Sequence, residues 1–342
     1  MKMNNRIVYG VLAGIALVML GSCENWDQDF PDFKYTATYF PYQYPARVLI
    51  LGEDEQVDTT PDNNGEFRIG LTMAGAYSND RDRRVEYVID ESLAENLSTS
   101  TGVKLEALPH SYYNFHESGA LTIPKGSMQG YMDIKLTDEF FADAASKDLR
   151  YVIPVRIISA QTDSVLFGRP AHPDADRRIA TDWYVAPMDF TIYAIRYINP
   201  WHGKYLYRGQ DEYGDGKKVI YRNKYVEKCE LADITTLSKN QALFETQVRN
   251  IDGNSPGKIS LVLTFDDDGK CAVTSNESSY AVVTGTGEFV KDGDKWGGKK
   301  RNVLHLSYSY TDPATSELHM VKDTLVVRDR NVKLETYSPV VE

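Results

Sequence analysis

The chain has 342 residues, 42% of them hydrophobic, enough for two ordinary domains and a sizeable core once an apolar leader is set aside. A formal net charge of -11 and a pI of about 5.1 give a surface field that repels phosphate backbones, so nucleic acid is excluded as a partner. Besides Cys23, only Cys229 and Cys271 remain. An oxidising compartment would let these two pair, but both sit in alternating segments where a reduced cysteine packs as a small hydrophobe.

Lys2 and Arg6 precede an uncharged run from Ile7 to Leu20. The run is shorter than the about 20 residues a membrane-spanning helix needs, and basic start plus apolar run is the pattern of a secretory leader. It stops at Leu20-Gly21-Ser22-Cys23, which resembles a lipobox, so residues 1–22 are expected to be a lipoprotein signal peptide and Cys23 the lipidated N-terminus. The carboxylates of Glu24, Asp27 and Asp29 resemble the surface-export signal of lipoproteins in glycan-foraging Gram-negative anaerobes. The resemblance implies an outer-membrane protein facing the cell exterior and touching the membrane through its lipid alone. Residues 23–45, rich in aromatics, Pro and Asp, are expected to form the lipidated N-terminus and a tether.

From there to about Tyr197, short alternating runs are separated by turn residues, the pattern of antiparallel sheets with one wet face. Phe67, Ile69, Leu71 and Met73 share a face, as do Val85, Tyr87 and Ile89, then Met132, Ile134 and Leu136, then Val155 and Ile157. Asn63-Asn64-Gly65 and Lys125-Gly126 punctuate the runs. A short helix is expected from Thr137, whose hydroxyl could cap it, to near Lys147. About seven strands with turns at this spacing predict an immunoglobulin-like β-sandwich over 46–198.

Three motifs in this half resemble the domain of unknown function family 1735: Ala107-Leu108-Pro109-His110-Ser111-Tyr112-Tyr113, Leu121-Thr122-Ile123-Pro124-Lys125-Gly126, and Tyr151-Val152-Ile153-Pro154-Val155-Arg156-Ile157. The resemblance implies an immunoglobulin-like module of surface lipoproteins, often encoded in polysaccharide-utilisation systems. The prolines themselves confine a strand to an edge or an end, so the motifs carry fold and no chemistry.

Asn199-Pro200 interrupts the pattern, and residues 199–342 alternate again, with Ile259, Leu261, Leu263 and Phe265 on one face and Leu304, Leu306, Tyr308 and Tyr310 on another. Asp252-Gly253, Asp268-Gly269 and Asp292-Gly293 stand between the runs and supply the positive backbone angles of tight hairpins. Consecutive strands should therefore pair as a meander, long enough to close into an antiparallel barrel. Its place and the Gly203-Lys204-Tyr205 opening resemble a lipocalin-like partner domain, family 4361. The fold class expected is all-β, a sandwich followed by a barrel. The second unit is too short for a glycosidase (β/α)₈ barrel.

Catalytic signatures fail on inspection. Gly253-Asn254-Ser255-Pro256-Gly257 spells a nucleophile elbow, but Pro256 lacks the N–H that the oxyanion hole requires. Gly285-Thr286-Gly287 lacks the third glycine of a dinucleotide loop, Val290 standing there, and is read as a turn or bulge. Asp266-Asp267-Asp268-Gly269 is out of register for calcium, the histidines show no zinc spacing, and no motif singles out a pair of carboxylates for glycoside hydrolysis. No cofactor, metal or catalytic residue is expected.

What remains is aromatic. Tyr213 and Trp296 are expected in Gly- and Asp-rich loops with little to pack against, and Trp201 opens the second unit. All three are candidate ligand contacts, because sugar rings stack their C–H faces on aromatic side chains. The expectation is a non-catalytic surface protein that binds polysaccharide or oligosaccharide, with an outer-membrane transporter complex as a further partner. An adhesin or assembly subunit gripping another protein is the alternative, ahead of a glycoside hydrolase or a carrier of small apolar ligands.

Overall fold

The computed structural model describes residues 35–115, 119–332 and 335–341. The leader, Cys23 and residues 24–34 of the expected tether lie outside the described residues. The fold is all-β, a sandwich followed by a closed barrel.

One sheet of the sandwich runs in the order Ser164–Val165, Ala37–Tyr39, Glu66–Ala74, Gln129–Leu136 and Tyr113–Phe115. The other is built on Pro45–Ile50, Phe190–Ile198, Tyr151–Ala160, Arg83–Ile89 and Ala120–Ile123. The alternating rows meet between them. Ile69, Leu71, Met73, Val85, Met132, Ile134, Val155 and Ile157 are all buried in a single cluster, each such side chain contributing about 1.5–3 kcal/mol relative to exposure.

Three details depart from expectation. The sheets are mixed, because Pro45–Ile50 pairs parallel to Phe190–Ile198. Pairing starts inside the segment expected as tether: Ala37–Tyr39 lies against Glu66–Ala74, and Phe40 is buried in the core. The short helix is split into Asp138–Ala142 and a 3-10 turn, Ala144–Lys147, and Thr137 caps neither. Its hydroxyl donates instead to the Ser111 carbonyl at 2.9 Å, tying the helix start to the preceding loop.

The second unit closes when its first long strand, Gly203–Tyr213, pairs with its last, Leu318–Asp329, from Lys204 opposite Asp329 to Tyr213 opposite His319. The strands between follow as a meander. Asp268-Gly269 makes the expected hairpin, with the Asp266 carboxylate accepting the Asp268 and Lys270 amides at 3.0 and 2.9 Å. Asp292-Gly293 does not. It forms a bulge within Val283–Trp296, where the register slips between Val290 and Asp294, and the hairpin turns at Gly297-Gly298, both at positive φ. Gly285 and Gly287 are likewise strand residues, not a turn. A Cβ on Gly287 would lie 2.8 Å from Cys271 Sγ and one on Gly285 2.4 Å from the Ser307 carbonyl oxygen, so close packing requires glycine at both.

The joint between the units is buried. Asn199 donates from its side chain to the Ser238 and Gln241 carbonyls at 3.0 and 2.7 Å, and from its backbone to Thr236 Oγ1 at 3.0 Å. After the barrel the chain returns to the sandwich: Glu335–Thr336 pairs with Pro45–Ile50, and Pro339–Val341 with Leu97–Thr99. Residues beyond Asp329 therefore fasten the second unit to the first.

Candidate functional site

A cleft of about 1040 Å³ lies where sandwich and barrel meet. One wall is the segment after Pro45–Ile50. Gly52, at φ 84°, turns the chain so close to Pro200 that a Cβ would lie 2.7 Å from the proline Cβ. Asp54 then accepts the Gln56 and Val57 amides at 2.7 and 3.2 Å, and Asp58 accepts the Thr60 amide at 2.9 Å, side-chain bonds that fix a loop without a ladder.

The opposite wall comes from the barrel: Lys204, Leu231, the bulged hairpin around Lys291, Asp292, Lys300 and Arg301, and the exit strand near Val327. Two ion pairs bridge the walls, Lys291 Nζ to Glu53 and Arg301 Nη1 to Glu55, each at 2.6 Å. Arg330 closes the floor, donating to the carbonyls of Leu51, Glu53, Asn199 and His202 at 2.6 to 3.1 Å. Apolar surface is present as well: Tyr42 is 65% exposed and Leu231 56% exposed, and both line the cleft.

Beside this floor, burial pushes the His202 imidazole down to about 4, helped by the positive charges of Arg196 and Arg330. The ring stays neutral, and its Nδ1 accepts the Thr236 amide at 3.1 Å.

The aromatic residues singled out by sequence do not converge. Trp201 lies flat on Phe265 in the barrel core, centroids 3.8 Å apart and planes 7° apart, with 9% of its surface exposed. Trp296 ends its strand with the indole N–H on the Val327 carbonyl at 3.1 Å and the Arg301 guanidinium 4.5 Å over its ring. It supports the cleft wall from behind without lining it. Tyr213 is at the other end of the barrel, buried, stacked on His319 at 4.5 Å, its hydroxyl accepting the Ile251 amide at 2.7 Å. Val327 and His319 stand eight residues apart on one strand, roughly 27 Å at about 3.4 Å per residue. Tyr213 and Trp296 cannot share one sugar-sized contact. Tyr213 does border a hollow of about 690 Å³ with Glu212, Lys218, Glu317 and Met320, but its ring face is taken by His319.

The barrel interior holds polar chemistry that sequence reading did not find. Asp323 accepts hydrogen bonds from the hydroxyls of Tyr207 at 3.1 Å, Tyr308 at 2.9 Å and Tyr221. Burial pushes its carboxyl up to about 7 against those three donors and the nearby Arg249. Arg249 lies 3.8 Å over the Tyr221 ring and pairs with Glu230 at 2.7 Å, covering the cluster from outside. Above it, His319 Nδ1 is 2.9 Å from Asp211 Oδ2, and His319 is stacked between Tyr213 and Tyr310. A signal did exist, since Asp211 and Asp323 fall on inward positions of their alternating strands. Asp323 has both oxygens bonded within the packed interior, whereas Asp211 Oδ1 and His319 Nε2 are buried with no hydrogen-bond partner, and among the described residues no group of His, Cys, Asp and Glu is placed to hold a metal ion. Cys229 and Cys271 are both free.

Fold and cleft together define a class: a two-module, all-β protein in which a closed barrel is locked against a sandwich. Residues 200–331 match the family model DUF5627, a domain of unknown function, where the sequence resemblance points to family 4361, and residues 33–164 match a model described as an N-terminal domain. A solved Bacteroides ovatus protein of unknown function is 37% identical, with a TM-score of 0.86 over 91% of this chain and 100% of its own. The chain belongs to the same family as that protein. Two other solved structures are more distant. A Bacteroides ovatus multidomain protein including DUF1735 is 12% identical with a TM-score of 0.43, over 87% of this chain and 97% of its own. A Bacteroides thetaiotaomicron auxiliary nutrient binding protein is 13% identical with a TM-score of 0.38, over 83% and 90%. No curated protein matches the chain.

Proposed function

We propose that this protein is a non-catalytic, lipid-anchored surface protein that captures glycan in the cleft between its two modules. The observation that carries the reading is the composition of that cleft, where exposed Tyr42 and Leu231 stand beside a dense set of carboxylates, amides and cations held in fixed positions. Sugars need both, an apolar surface for their C–H faces and hydrogen-bonding groups for their hydroxyls. The cleft is built from both modules, so the sandwich is part of the site. The non-catalytic reading is supported by the way most of its carboxylates are engaged, Glu53, Glu55 and Asp62 in ion pairs and Asp54 and Asp58 in turns. Anchored by Cys23 in the outer membrane and facing outward, the protein would hand captured glycan to a transporter complex.

Affinity electrophoresis through gels containing soluble plant and host polysaccharides tests the binding. Retardation that is lost in Tyr42→Ala, with the fold intact by circular dichroism, is the expected result; no retardation by any polysaccharide would sink the reading. The anchor is tested separately by fractionation, where Cys23→Ala should leave the membrane fraction.

A further inference from the structure

The charges of the cleft are matched almost one for one. Its lining holds seven Lys or Arg and seven Asp or Glu. Arg47 is bonded to Asp62, Lys291 to Glu53, Arg301 to Glu55, and Lys204 to Asp233. Arg330 is turned to four backbone carbonyls, and Arg328 lies 3.6 Å from Asp329. Among the described residues Arg330 and Lys300 are the cleft cations outside an ion pair, and with Arg330 committed to carbonyls Lys300 is the one left open to an anion. Asp54 accepts only backbone amides and Asp58 only the amide and hydroxyl of Thr60, which leaves each carboxylate with lone pairs to spare.

We infer that the cleft takes neutral, hydroxyl-rich glycans and rejects those bearing uronate or sulfate groups. An anionic sugar is held by free guanidinium or ammonium groups in charge-assisted pairs. Here only Lys300 is open to it, and any second charge-assisted pair would have to draw Arg301 or Lys291 away from its glutamate, leaving that glutamate unpaired beside a second anion. The net charge of -11 adds a repulsive field. A vicinal diol meets the opposite situation, since its two O–H groups donate to a carboxylate such as Asp54 or Asp58 while its C–H face lies on Tyr42.

The inference rests on the reading of the cleft as a glycan site, and matched polymers separate the two. Calorimetry of the full protein would compare dextran with dextran sulfate and hydroxyethylcellulose with carboxymethylcellulose, extended to other neutral and charged members of one backbone. The neutral member should bind at least tenfold more tightly, with an affinity unchanged between low and high salt. Tighter binding of the charged member, falling steeply with salt, would overturn the neutral class while leaving a glycan site in place. Absence of binding to both members across the series would overturn the glycan reading itself, and the inference with it. Glu55→Gln supplies a gain rather than a loss: it frees Arg301, so binding of the charged polymer should rise severalfold, and no rise would count against the matched-charge explanation.

Discussion

Arg330 donates an N–H to the carbonyl oxygen of Asn199 at 2.6 Å, tying the end of the barrel to the residue where the chain leaves the sandwich. The same guanidinium serves Leu51, Glu53 and His202, so a single side chain satisfies carbonyls of both modules. Arg330→Ala strands these acceptors at a buried joint. Leaving a buried polar group unpaired costs about 1–3 kcal/mol, so the expected loss is on the order of 3 kcal/mol or more, measured by urea unfolding, with new proteolytic cleavage near Pro200. A loss well below 1 kcal/mol would show that the joint is held elsewhere.

The two tryptophans should separate by stability. Trp201 is stacked and buried, and truncating such a ring costs about 3–5 kcal/mol. Trp296 is half-buried with one hydrogen bond and one cation over its face, contacts worth about 1–2 kcal/mol together. Thermal unfolding of Trp201→Ala and Trp296→Ala should therefore show a clearly larger drop for the first. Equal drops would contradict the packing described.

Rows of alternating apolar residues were enough to read both modules, because a period of two has one meaning wherever one face is buried. Phe67 to Met73 and Ile259 to Phe265 point inward as their spacing requires. The site was less legible. Tyr213 and Trp296 were singled out as stranded among Gly and Asp, yet both are strand ends: the glycines after them make the hairpin tips, and the rings turn back onto the barrel. The cleft left no local signal, since it joins residues near position 55 to residues near 300, and only the closure of the barrel brings them together. Asp211 and Asp323 were legible in principle, as acidic residues in inward rows, but an inward row is recognised only when the strand register is known.

The free cysteines give a chemical check on the barrel. Burial pushes the Cys271 thiol up to about 12, and its sulfur lies against the glycine strand opposite, so it should resist a thiol reagent until the protein unfolds. Cys229 is half-buried near the surface and should be labelled in the native state. One fast and one unfolding-limited thiol is the expected titration; two slow thiols, or a mass lower by two hydrogens without reductant, would contradict it.

Asp323 and His202 should give opposite pH dependences. Asp323 titrates near 7 in the fold and near 3.8 when unfolded, so between those values the native state holds a proton that the unfolded chain has released. The stability it contributes falls as pH rises through that window. His202 titrates near 4 in the fold and 6.5 when unfolded, so the unfolded chain binds the proton first on acidification, and its contribution falls as pH drops from 6.5 to 4. The two offset each other in the wild type, and each variant exposes the other. Relative to wild type, Asp323→Asn should lose more stability at pH 5 than at pH 7.5, and His202→Gln more at pH 7 than at pH 4.5, each difference changing by up to about 1.4 kcal/mol per pH unit. Urea midpoints across this range measure both, with the remaining carboxylates cancelling in the differences. Slopes of the same sign would mean that one of the two groups is already charged in the folded barrel, or that its burial is relieved by water entering the site.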